Sequence, residues 1–241
     1  MGVLFFANSL KDGKMTKSKK DMTKKFNINS FMNILNGHYK NWNTPSVTFI
    51  ATNHKATPFQ VLVSTLLSSR TKDEVTLKAA ERLFYVAKTP EQILNLDKQK
   101  LEELIYPVGF YHTKAERLRR LSRILIEQYK GTAPDNMECL LKLPGVGRKT
   151  ANLVLIEGFK KNAVCVDTHV HRISNRTGYV KTTTPDKTEI ALRKKLPIKY
   201  WLKYNEILVA FGQALCGPIS PLCTKCPVSY MCVKAGVTRS R

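Results

Sequence analysis

Apolar residues recur at helical spacing along nearly the whole chain from residue 28 onward, and strand-like alternation bounded by hairpin turns is hard to find. That periodicity points to an all-α fold of about ten short helices joined by tight connections. Helix starts are marked locally. Thr57-Pro58 opens an apolar run through Leu67, and the proline suits a first turn, where its missing N–H costs nothing. Thr89-Pro90-Glu91 and Thr184-Pro185-Asp186 each combine an N-cap, an N1 proline and a first-turn acid. Asp73 begins a segment with Val75, Leu77, Ala80, Leu83 and Phe84 at its apolar positions. Leu101, Leu104 and Ile105 precede a break at Pro107–Gly109, after which Ala115, Leu118, Leu121, Leu125 and Ile126 form a stripe. No apolar run approaches the roughly 20 residues of a membrane helix, so no membrane partner is expected.

The 241 residues suffice for one large domain or two small ones sharing a core. Their charge is strongly basic: 40 Lys plus Arg against 18 Asp plus Glu, a net +22. The first 25 residues hold seven lysines and two aspartates, so +5 belongs to them and +17 to the rest. A basic body of this kind implies a polyanionic partner, nucleic acid above all. The excess of Lys (28) over Arg (12) leaves a general Lys enrichment as the bland alternative. Residues 1–27 lack a sustained apolar period and read as a flexible basic arm. A secretory signal is not evident, and the arm carries Asp12, Asp21 and no Arg, unlike a mitochondrial transit peptide. An intracellular protein with reduced cysteines is expected.

The segment LLKLPGVGRKTAN, residues 140–152, is the most telling. A helix ends near Leu143, Pro144 and two glycines make a tight turn, and a second, apolar helix starts near Arg148. Gly145 and Gly147 let the backbone turn sharply and approach another molecule. The free N–H groups at the second helix's start then form an anion site. Such a hairpin grips a DNA phosphate without reading sequence; the plainer alternative is a turn between packed helices. Lys149 falls in the first turn, where the helix dipole and adjacent Arg148 both favour the neutral amine that a nucleophile requires. Lys149 as a second phosphate contact is an equally good reading of the sequence alone.

Further along, VCVDTHVHR (164–172) reads as a buried approach to a helix capped by Asp167. The same aspartate, placed across from Lys149, could move protons or stabilise positive charge. His169 and His171 lack a third ligand nearby and read as polar groups lining or supporting a cleft rather than a metal site. Four of the six cysteines, Cys216, Cys223, Cys226 and Cys232, form a compact thiolate set with a single C-x2-C. Four thiolates suit either zinc or a [4Fe–4S] cluster. Cys139 and Cys165 read as small core residues.

Taken together, LPGVGRKTANLVL, VDTHVHRISNRTG and CGPISPLCTKCPVSYMC, with LLSSRTKDEVT and VGFYHTKA in the first half, resemble the endonuclease III family of DNA glycosylases from about residue 30 to 235. The resemblance implies a two-domain helix-hairpin-helix fold. A six-helix domain would span 51–161, and a discontinuous cluster domain 28–50 plus 162–241, with the active-site cleft between them. It implies Lys149 as nucleophile and Asp167 as its partner in a bifunctional glycosylase/lyase that excises damaged pyrimidines and cuts the strand by β-elimination. It also implies a [4Fe–4S] cluster on the four cysteines. The partner would be double-stranded DNA carrying damaged pyrimidines or abasic sites, bound by a monomer. Gly145, Val146, Gly147 and Arg148 would hold the backbone, His169 would lie at the cleft, and Arg70 and Phe110 would fill the gap left by a flipped base. Ordinary core packing is the alternative for Phe110. Relatives acting on adenine mismatches carry Ser at the nucleophile position and those acting on thymine mismatches carry Tyr, so Lys149 argues for lyase activity. The remaining alternatives are a monofunctional mismatch glycosylase and a non-catalytic DNA-binding hairpin module. Two departures stand out: Arg70 falls where relatives often have Gln, and the Gly217–Leu222 loop has no Lys or Arg.

Overall fold

The computed structural model describes residues 26–241, and among them the regular structure is helical. The segment read as a basic arm lies outside the described residues except for its last two, which belong to the folded body. Asn27 caps the first helix by accepting from the Ser30 amide, and the Phe26 ring packs 5.1 Å from Phe31 and 5.4 Å from Tyr179.

Two apolar cores organise the helices. The first is built by α2 (Ser46–Asn53), α3 (Pro58–Ser68), α4 (Asp73–Val86), α5 (Pro90–Asn95), α6 (Lys98–Ile105), α7 (Tyr111–Tyr129), α8 (Met137–Leu141) and α9 (Arg148–Phe159). The three Thr-Pro starts form as the sequence predicts. Thr57 and Gln60 close a reciprocal capping box on α3, Thr89 caps α5, and Thr184 caps α11 (Pro185–Lys195). Helices α3 and α9 pack together at the centre, apolar on nearly every side. Burying Leu153, Val154, Leu155 and Ile156 of α9 stabilises by about 2 kcal/mol each. The sequence division at residue 51 puts α2 with the second group, whereas its Val47 and Ile50 lie in the first core.

The second core gathers α1 (Ile28–His38), α10 (Thr168–Arg176), α11, α12 (Trp201–Ala214) and the cysteine-bearing tail. One short stretch serves both cores. Ala163 and Cys165 are buried in the first, and Val164 and Val166 in the second. Successive side chains go to opposite sides, as they do along an extended backbone. This thread delivers the chain to Asp167.

Candidate active site

The turn Pro144–Gly147 joins α8 to α9, and Gly145 takes φ +80°, a conformation glycine adopts without strain. The amides of Gly145, Gly147, Arg148 and Lys149 donate no hydrogen bond within the described residues, so they are available to an anion. Val146 differs from its expected role. Its side chain is buried in the first core and its amide donates to the Leu143 carbonyl at 3.1 Å, so it offers DNA no donor.

Arg148 also departs from expectation. Its guanidinium forks onto Glu189 of α11, Nε to Oε2 at 2.9 Å and Nη2 to Oε1 at 2.6 Å. Arg193 Nε donates to the same Glu189 Oε1 at 2.9 Å, and Arg193 Nη2 donates to Asn152 Oδ1 at 2.8 Å. Burial alone would raise the Glu189 carboxyl, but the hydrogen bonds from Arg148, Arg193 and Asn152 prevail and hold it below the usual carboxylate range. The guanidinium beside Lys149 is therefore held in an Arg148–Glu189–Arg193 cluster that ties α9 to α11, not aimed bare at a phosphate.

Lys149, half-buried in the first turn of α9, and Asp167, half-buried at the start of α10, line one cleft between the two cores. Asp167 Oδ1 accepts from the Val170 amide at 2.8 Å, so the capping role is real, and its other oxygen has no hydrogen-bond partner among the described residues. Cys165 Sγ lies 3.5 Å from the Lys149 carbonyl oxygen, which sets the two segments side by side. His169 shares the cleft, its Nδ1 3.1 Å from Arg172 Nη2. Burial first, and then Arg172, lower its basicity against the pull of Asp167, which favours a neutral ring. That ring fits because residue 212 of α12 is glycine: a Cβ there would sit 2.4 Å from His169 Nδ1.

The cleft also holds Ser46, Asp73 and Gln213, none of which the sequence marks as a site residue. Ser46 Oγ and Gln213 Nε2 donate to the two oxygens of Asp73 at 2.9 and 3.1 Å. They come from α2, α4 and α12, and only folding brings them together.

Arg70 lines the cleft rim, and Phe110 stands close by. Both have left-handed backbone, φ +53° and +59°, and the Arg70 Cζ lies 5.7 Å from the centre of the Phe110 ring. Phe110 is 63% exposed, which removes core packing as its explanation. Buried Lys114 supports both loops. Its Nζ donates to the Leu67 and Ser69 carbonyls at 2.8 and 2.6 Å and to Thr71 Oγ1 at 3.2 Å, while Thr71 Oγ1 accepts from the Gly109 amide.

Cys216, Cys223, Cys226 and Cys232 line one pocket floored by Phe211, Leu215, Leu222 and Val228. Arg176 approaches Cys216 Sγ at 3.3 Å and holds the uncharged loop through the Gly217 and Pro218 carbonyls. Burial raises the Cys226 thiol to about 11 and also raises Cys232, so a bare thiolate at these two positions is disfavoured without a compensating cation. Among the described residues, no group of three or more His, Cys, Asp or Glu is arranged to hold a metal ion. Four thiols with no His or carboxylate around them remain a donor set suited to iron–sulfur ligation.

Comparison with known proteins agrees with this layout. Residues 63–197 match the family model described as HhH-GPD superfamily base excision DNA repair protein. The chain is 55% identical over 181 residues to Endonuclease III of Thermotoga maritima, covering 75% of this chain and 85% of that protein. A solved non-covalent Endonuclease III–DNA complex superposes with a TM-score of 0.77 at 31% identity, covering 86% of this chain and 94% of the other. A trapped Endonuclease III–DNA covalent intermediate gives 0.72 at 31% identity, covering 86% and 95%. The hairpin, the cleft between two cores and these likenesses place the chain in the endonuclease III family of the HhH-GPD superfamily of base excision DNA repair proteins.

Proposed function

We propose that the chain is a bifunctional DNA glycosylase and abasic-site lyase of base excision repair that acts on damaged pyrimidines in duplex DNA through Lys149. It works inside the cell as a monomer. The observation that carries this reading is the arrival of Lys149 and Asp167 at one cleft from opposite cores, beside a hairpin with free amides.

The hairpin amides hold a phosphate, and the damaged nucleotide is swung out of the stack into the cleft. Phe110 and Arg70 fill the space it leaves. The Lys149 amine attacks C1′: the Nζ–C1′ bond forms, the glycosidic bond breaks, and the base departs with the electron pair and takes up a proton. Asp167, with one oxygen engaged in capping and the other free, accepts the amine's proton and offsets positive charge on the sugar. Opening of the sugar ring gives a Schiff base. Loss of a C2′ proton then expels the 3′ oxygen, and hydrolysis returns the free lysine. Neutral His169 borders this chemistry without adding a cation to it.

Cys216, Cys223, Cys226 and Cys232 would hold a [4Fe–4S] cluster, whose contribution when bound is to brace the tail against α10 and α12. The apolar pocket and the all-cysteine donor set support this reading. With no cation in Gly217–Leu222 and its Gly217 and Pro218 carbonyls taken up by Arg176, the loop serves as scaffold rather than as a DNA grip. Iron and sulfide at about four each per chain are expected, and stoichiometric zinc would overturn the assignment.

Incubation with abasic-site and thymine-glycol duplexes followed by borohydride tests the mechanism. Wild type should form a covalent complex and Lys149→Ala should not. A complex that persists in the variant would remove Lys149 as the nucleophile.

A further inference from the structure

We infer that the face of α7 beside the hairpin is a second phosphate-binding site for duplex DNA, formed by Arg117 and Arg120. The inference rests on the reading of the chain as a DNA-binding enzyme and extends its footprint beyond the hairpin amides.

Thr113, Arg117, Arg120 and Ile124 recur at helical spacing and share one face of α7. They line an open cavity together with Lys142, Pro144 and Gly145 of the hairpin. The Arg117 side chain lies against the turn itself, its Cδ 3.2 Å from where a Cβ on Gly145 would sit. The helix begins directly after Phe110, so the stripe runs from the tip that meets the orphaned base toward the phosphate-gripping turn. From Thr113 to Arg120 the helix rises about 10 Å, the axial length of about three phosphates on one strand. Two extended arginines on that face have room for two phosphate contacts.

Six of the other arginines are already engaged, and the remaining four, Arg70, Arg123, Arg239 and Arg241, do not line this cavity. Arg82, Arg119, Arg172 and Arg176 are engaged with backbone carbonyls, and Arg148 and Arg193 with Glu189. Arg117 and Arg120 are exposed and make no ion pair or hydrogen bond among the described residues. The other charged residues lining the cavity are Glu116 and Lys142, and Lys142 pairs with Glu138 at 2.8 Å. The local excess is thus the two arginines against one exposed carboxylate. Guanidinium is suited to bidentate phosphate recognition.

Arg117→Gln/Arg120→Gln and Arg117→Lys/Arg120→Lys would be compared with wild type in equilibrium binding to a duplex bearing an uncleavable abasic-site analogue, across a series of salt concentrations. Each lost phosphate contact lowers the slope of log K against log salt by about 0.9. The Gln pair should therefore lose about 1.8 in slope and bind more than tenfold more weakly at low salt, while the Lys pair keeps most of the slope. A Gln pair whose slope stays within about 0.5 of wild type would overturn the site, even if its melting temperature changes, because a solvated or merely stabilising face moves stability and not slope. A wild type with no salt-dependent duplex binding would instead overturn the DNA reading beneath it.

Discussion

Replacing Glu189 by Gln preserves the shape of the side chain that ties α9 to α11 and removes its charge. The carboxylate is 3% exposed and receives three hydrogen bonds from two arginines. Breaking a fully buried pair in this way costs roughly 3–5 kcal/mol. Here the Arg148 side chain is 41% exposed and Arg193 32%, so water takes up part of the released charge. That discount brings the expected loss to about 2 kcal/mol, read from urea denaturation at pH 7. The pH dependence has a definite sign. The Glu189 carboxyl is held below its ordinary value of 4.5 in the native state, so its contribution is complete above pH 4.5 and is lost as pH falls through the depressed native value. The gap between wild type and variant should therefore narrow below that pH. A cycle with Arg148→Met should return a coupling of about 1–2 kcal/mol. Because Arg148 precedes Lys149, the variant should also slow single-turnover strand cleavage more than it weakens duplex binding. A stability loss under about 0.5 kcal/mol at pH 7, or a gap independent of pH, would refute the tie.

Two further outcomes are expected. Lys114→Met removes a buried ammonium from two carbonyls at the end of α3 and from Thr71, which should cost about 2 kcal/mol in thermal or urea unfolding. Burial, with Arg117 adding to it, brings the Lys114 ammonium down to about 8 from 10.5, so the unfolded chain binds more protons between those values. Wild type should accordingly gain stability relative to the variant as pH rises from about 8 to 10.5. Gly212→Ala drives a Cβ to 2.4 Å from His169 Nδ1 and 3.0 Å from Arg172 Nη2. Overpacking of about 1–3 kcal/mol exceeds the roughly 0.5–1 kcal/mol helix gain from alanine, so melting temperature should fall. Displacement of α10 should slow cleavage as well; an unchanged rate would show that this close approach has no part in positioning the site.

What the sequence made legible was local. The Thr-Pro pairs specify their helix starts within four residues, and the Gly-x-Gly turn specifies the hairpin, because caps and turns are decided by neighbours in the chain. The buried α9 was legible for the same reason, through continuous apolarity. Arg148 misled because its partner, Glu189, lies 41 residues away, and nothing near residue 148 announces a carboxylate. Nothing marks Ser46, Asp73 and Gln213 as site residues in the sequence, because their meeting spans α2 to α12. Val146 looked like part of the grip because it sits between two glycines, whereas the turn rotates its side chain into the core. Phe26 and Asn27 belong to the fold although the sequence reads as arm through residue 27, because the rings Phe26 meets and the amide Asn27 caps become evident only in the folded chain.

The thread from Ala163 to Val166 has an evolutionary consequence. Its alternate residues answer to different cores, so adjacent positions in the chain are constrained by unrelated surroundings. Substitutions at residues 163 and 165 must be compensated within the first core, and those at 164 and 166 within the second. Either kind of drift also shifts Asp167 relative to Lys149. Four small or branched residues thus act as a common ruler between the two cores, and selection on the distance between the two reacting groups falls on buried side chains.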